Sequence, residues 1–237
     1  MPHLQRPYII CHMMSTIDGK ITSGTNVGIL EDYFSLYTQV EALLQPKAWM
    51  LGRVTMERFA EHSNVPLPPA TTEISYEHWI KRGDSTHLLF AIDTKGVLRW
   101  KDNTISFSNV ADKLHLTIVV TRETPKQYLR YLQAKGISYI VGGDSEIDFE
   151  TILGVIKESF GVDKLLLEGG AILNGSLMAA SLIDEISLLV IPKVANRSGA
   201  PSVFERDTPQ VDIKKYSLFD IQKMEQDAVW LRYKKVP

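Results

Sequence analysis

Short apolar runs alternate along the chain with stretches whose apolar positions recur every three to four residues. Residues 7–14 (PYIICHMM), 47–52 (KAWMLG), 87–92 (HLLFAI), 115–120 (HLTIVV), 137–141 (ISYIV) and 164–167 (KLLL) are apolar runs of strand length. They end in Gly, Pro or polar residues and predict buried strands. Residues 30–45 carry Leu30, Phe34, Tyr37, Val40, Leu43 and Leu44 at helical spacing, and residues 148–160 do the same with Phe149, Ile152, Leu153, Ile156 and Phe160. Further helices are expected at 53–61, 125–135 and around 171–181. Strands apolar on both faces, alternating with amphipathic helices, imply an α/β fold with a mostly parallel sheet and helices on both faces. The last third differs. Residues 184–194, 216–224 and 228–235 are strand-like, and the last two lie close enough to form an antiparallel hairpin.

Residues 63–86 break the alternation. They are rich in Pro, Thr and Ser, and Pro66-Leu67-Pro68-Pro69 reads as a surface excursion, not a linker between domains. With no repeat and no low-complexity tract, residues 1–237 read as a single domain.

Composition narrows the function classes. The 237 residues are 44% hydrophobic and 23% charged, ordinary for a folded domain. The net charge of −2 makes no overall case for nucleic acid or an anionic membrane as partner. Cys11 is the one cysteine, so an intramolecular disulfide and a Cys-rich zinc site are excluded, and a reducing, cytoplasmic setting is expected. In the run Tyr8-Ile9-Ile10-Cys11 it reads as a small buried hydrophobe. None of the six histidines has metal-ligand spacing, so no metal is expected. No stretch approaches the ~18 apolar residues of a membrane span, and no signal-peptide pattern opens the chain.

In parallel α/β sheets ligands bind beyond the carboxyl ends of the strands, so those ends hold the candidate chemistry. The clearest is Leu165-Leu166-Leu167-Glu168-Gly169-Gly170-Ala171, a buried strand that meets two glycines and then a helix. The glycines allow close backbone approach, and a helix N-terminus attracts a pyrophosphate. A tight turn with no ligand is the alternative, since the GxGxxG fingerprint is absent. Gly52-Arg53-x-Thr55 follows the second strand and could meet a phosphate. Thr121-Arg122 could hold the ribose 2′-phosphate that distinguishes NADP from NAD, and Gly142-Gly143 could pass beneath a cofactor. Asp18-Gly19 is a turn signal whose carboxylate could also orient a polar substrate. His12 interrupts an apolar strand, as a core histidine or as a catalytic one. Asp184-Glu185 reads as a polar step at a strand start. No GxSxG and no P-loop occurs.

Together, PYIICHMMSTIDGKI, LGRVT, AIDTKGVL and LLLEGGAILNGSLMAASLIDEISLLVIPKV resemble the reductase domain of riboflavin-biosynthesis deaminase/reductase proteins, over nearly the whole chain. The resemblance implies a dihydrofolate-reductase-like fold, NADPH as cofactor, a small-molecule substrate and a homodimer. It implies cofactor contacts at Ser15, Thr55, Thr94 and Glu168 to Ile172 (thus Gly169, Gly170 and Ala171), with Thr121 and Gly142 along the cofactor. It places Glu168 near the sugar portion of the substrate and Asp18 in the family's S-x-D-G-K turn. The activity it implies is hydride transfer to a ribosylamino-pyrimidine phosphate. For such a transfer we expect Glu168 and Asp18 to orient the substrate or manage the proton, with His12 as a donor.

The departures are specific. His12 stands where many members carry Lys. Residues 24–46 contain no Arg, and residues 56–61 (MERFAE) lack the family's D-x-P run, with Arg58 the one candidate cation. The chain therefore reads as a stand-alone relative whose cofactor half matches better than its substrate half. The alternatives are reduction of a different pterin or carbonyl compound, or a non-catalytic NADP-binding module.

Overall fold

A computed structural model describes residues 6–21, 32–61, 66–67, 69, 74–81, 83, 86–106, 113–206 and 213–236. The expected helical start at 30–31 and much of the 63–86 excursion lie outside these residues. Two compact units emerge, one built from Lys47–Asp163 and one from Tyr8–Pro46 with Lys164–Pro237.

The first unit contains β2 (Ala48–Leu51), β3 (Leu88–Ile92), β4 (Thr104–Ile105), β5 (Leu114–Val120) and β6 (Ser138–Val141). Strands β2, β3, β5 and β6 run parallel in that order. Strand β4 pairs antiparallel with the start of β5, Thr104 opposite His115 and Ile105 opposite Leu114. Its helices are α2 (Arg53–Met56), α3 (Lys126–Lys135) and α4 (Phe149–Phe160). Helix α4 begins where the Asp148 carboxylate accepts the Thr151 N–H at 3.1 Å and ends at Gly161 in the left-handed conformation. Strand β5 is buried at every position, which fits its near-continuous apolar run.

The excursion has a structural role in its described part. Trp79 and Tyr139 exchange two backbone hydrogen bonds, and Lys81 N–H donates to Ser138 Oγ at 3.0 Å. The segment thus runs antiparallel along β6 and covers backbone groups that would otherwise stand open.

The second unit contains β1 (Tyr8–Thr16), β7 (Lys164–Leu167), β8 (Glu185–Ile191), β9 (Tyr216–Lys223) and β10 (Val229–Lys235), with helices α1 (Phe34–Leu44) and α5 (Ala171–Ala179). Strand β1 lies between β7 and β8, parallel to both. Strand β10 is antiparallel to β8, and β9 to β10, so the expected hairpin closes the fold. Alternating burial along β8 shows one covered face.

Three expectations need correction. The helix expected at 53–61 is a single turn, Arg53–Met56. The first strand runs on through Ser15 and Thr16, both buried, because β8 continues alongside it to Ile191. The short strand β4 was not anticipated.

Candidate functional site

In the second unit, β7 ends at Leu167, which pairs with Cys11 of β1. Glu168 therefore leaves the sheet beside a strand that continues past it. Its side chain is 8% exposed and its Oε1 has no hydrogen-bond partner. Gly169 follows at φ +87°, a conformation that a side chain resists, and an added Cβ would lie 3.2 Å from Met13 Sδ. The Gly169–Gly170 peptide is cis. Gly170 caps α5, whose first turn carries buried Ala171 and half-exposed Ile172.

Helix α1 supplies two residues that the sequence did not flag. The Tyr37 ring stacks on His12 with centroids 4.2 Å apart, and its hydroxyl donates to the His12 carbonyl at 3.1 Å. The same hydroxyl hydrogen-bonds the Glu168 carboxyl. Glu41, one turn along, is buried and acts on Glu168 by charge. Burial, then the Glu41 carboxylate, drives the Glu168 carboxyl well above the usual range, against a smaller opposing effect from Tyr37.

His12 is fully buried. Its Nδ1 lies 3.0 Å from Ser187 Oγ, which accepts from Trp230 Nε1–H at 2.8 Å. Ser187 can then donate to Nδ1, and Nε2 faces the Tyr37 carbonyl at 3.5 Å. Those bonds suit a neutral ring protonated at Nε2, and burial lowers its pKa to about 4. Asp18 is exposed and committed to local structure. It accepts from Thr16 Oγ1 at 2.6 Å and from the N–H groups of Ala195 and Asn196, both at 3.0 Å, which hold it at about 2. Ser15 is buried inside β1 opposite Val190.

The first unit gathers Thr94, Thr121, Arg122 and Gly142 at the carboxyl ends of β3, β5 and β6. Thr124 Oγ1 accepts from Thr121 N–H at 3.1 Å and donates to the Thr94 carbonyl at 2.7 Å. Arg122 N–H donates to the Gly143 carbonyl, and Arg122 Nε lies 3.1 Å from Asp144 Oδ1. A cavity of about 490 Å³ opens there, with Arg122, Gly142, Gly143 and Asp144 in its wall. Gly52 and Thr55 follow β2, and Arg53 pairs with Glu57 on the same turn.

A dinucleotide fits two of these features. Thr121 Oγ1 is buried without a partner beside the cavity-lining Arg122, and the cavity has the volume of a small-molecule cleft. The glycines are ambiguous, because an added Cβ would meet Ile152 Cγ2 at 2.7 Å from Gly142 and the Glu146 carbonyl at 2.1 Å from Gly143, so packing alone accounts for them. Among the described residues no cluster suits a metal ion. In the sequence, Tyr37 reads as one of the apolar helical positions of residues 30–45. Glu41 had a signal, a carboxylate beside Val40 on the buried face of an amphipathic helix.

A profile of the RibD C-terminal domain matches residues 7–230. The 2,5-diamino-6-ribosylamino-4(3H)-pyrimidinone 5′-phosphate reductase of Methanothermobacter thermautotrophicus is 24% identical over 204 residues, 84% of each chain. The Aquifex aeolicus protein of the same name is 32% identical over 88 residues, 37% of this chain and 39% of that one. The crystal structure of a pyrimidine reductase-like protein from Corynebacterium diphtheriae superposes with a TM-score of 0.67 at 14% identity, covering 98% of this chain and 92% of that one.

Proposed function

Because the chain belongs to the RibD C-terminal domain family, we propose that it is an NADPH-dependent oxidoreductase that reduces a ribosylamino-pyrimidine phosphate-like substrate in riboflavin biosynthesis. Bound reduced nicotinamide would supply the hydride. The observation that carries the reading is the buried Glu168 carboxyl, with one oxygen unpartnered at the end of β7. A carboxyl held protonated can give its proton to the heteroatom of a C=N or C=O group as the carbon is reduced. Burial and the Glu41 charge keep the Glu168 proton in place, and Tyr37 positions its carboxyl. His12 supports Tyr37 by stacking, with its ring nitrogens already engaged.

Thr94, Thr121, Arg122 and Gly142 are the cofactor residues of the first unit, with Gly52, Arg53 and Thr55 toward phosphate. Ser15 and the turn Gly169 to Ile172 are those of the second. Asp18 shapes the turn after β1. The whole chain acts as one reductase domain. A homodimer is supported by the outer strand β9, which exposes Leu218, Phe219 and Ile221. A cytoplasmic setting is supported by the free, buried Cys11.

A second reading keeps the cofactor and changes the substrate to another pterin or carbonyl compound. The lack of arginine over residues 24–46 favours it. The test is NADPH oxidation with the pyrimidinone phosphate, for wild type and Glu168→Gln. Turnover lost in the variant with NADPH binding retained supports the first reading. Turnover only on other carbonyl compounds supports the second, and cofactor binding without turnover on any of them leaves a binding module.

A further inference from the structure

The cavity at the carboxyl ends of β5 and β6 carries an uneven charge. Among the described residues that line it, Arg122 is the one permanent cation, and Glu77, Asp144 and Asp148 line the same cavity. Asp148 is engaged in capping α4, where it accepts from Thr151 N–H and Thr151 Oγ1. His78 adds no positive charge, because its Nδ1 accepts the Val141 N–H at 3.1 Å and so carries no proton. Arg122 is left with Asp144, Nε to Oδ1 at 3.1 Å.

These two side chains have opposite preferences for a dinucleotide. A carboxylate accepts from the free ribose 2′-hydroxyl of NADH, whereas an arginine accommodates the 2′-phosphate of NADPH. Here each holds the other. A phosphate adds about −1.5 to −2 of charge and meets three carboxylates against one guanidinium. The Arg122–Asp144 pair is 57% and 90% exposed, so it opens at little cost.

We propose that Asp144 is a specificity-determining residue that competes with the 2′-phosphate for Arg122 and so limits the preference for NADPH over NADH. This rests on the cofactor reading above. NADPH binding turns Arg122 from Asp144 to the phosphate and leaves the carboxylate repelled. NADH leaves the pair closed and uses Asp144 as an acceptor.

The test is to titrate wild type, Asp144→Asn and Arg122→Gln with NADPH and with NADH, following tryptophan quenching. The readout is the ratio of the two dissociation constants, in which losses common to both cofactors cancel. Asp144→Asn is expected to shift the ratio toward NADPH by roughly three- to tenfold, and Arg122→Gln to shift it the other way. An unchanged ratio in Asp144→Asn, with both cofactors still bound, overturns the role of Asp144 and leaves the cofactor reading intact. If wild type binds neither cofactor, the cofactor reading fails and this assignment falls with it.

Discussion

The end of β7 and the ends of β5 and β6 handle charge in opposite ways. Around Glu168 the polar groups are dry. His12 is fully buried, Glu41 and Glu168 nearly so, and one carboxyl oxygen has no partner. Around Gly142 and Gly143 the charges stand in water, with Arg122 and Asp144 more than half exposed. A desolvated carboxyl holds its proton tightly, which suits proton delivery. An exposed ion pair is weak and exchangeable, which suits recognition by competition. The contrast shows how one chain can build a tuned group and a selective one from the same residue types.

The sharpest way to break this comparison is Glu168→Gln. The buried region predicts a fall in kcat of roughly a hundredfold or more, with NADPH affinity unchanged. A variant with near-normal kcat removes Glu168 from the chemistry. The glycines give the next largest effect, on stability. Gly143→Ala should cost roughly 3 kcal/mol, because φ is +147° and the Cβ would sit 2.1 Å from a backbone oxygen. Gly169→Ala should cost less, about 1–2 kcal/mol, because the atom it meets is the movable end of Met13. Chemical denaturation measures both, and equal losses would contradict the packing difference.

The buried region should also respond to pH. His12 titrates near 4 when folded and near 6.5 when unfolded, so the unfolded chain binds more protons between those values. Its contribution to stability is complete above pH 6.5 and is lost as pH falls toward 4, up to roughly 3 kcal/mol. Glu168 acts with the opposite sign. Its folded pKa is raised, so its contribution declines as pH rises above the ordinary carboxylate range. Wild type compared with Glu168→Gln over that range separates the two: the variant should lose less stability on going alkaline. The smallest effect is expected from Trp230→Phe, which removes the indole donor to Ser187 Oγ and should cost about 1 kcal/mol.

Much of the fold was legible because the buried strands are continuous apolar runs and the main helices carry a clear apolar stripe. Strand β4 was not, since two residues have no periodicity, and Thr104 and Ile105 are held by the start of β5. The 53–61 segment has helical composition but closes only one turn. Half of the site was visible as glycines and polar residues at strand ends. Tyr37 and Glu41 were not, because helical spacing gives the face a residue occupies and not the carboxyl it meets. The ladder role of His78 was hidden for a related reason: an imidazole that replaces a backbone carbonyl as acceptor leaves no mark in the local pattern.

The most direct test of the central claim is infrared difference spectroscopy of wild type against Glu168→Gln at neutral pH. The account predicts that the carbonyl stretch of a protonated carboxyl is present in wild type and absent in the variant. Loss of a carboxylate band alone would show that Glu168 is ionised and would contradict its role as the proton source.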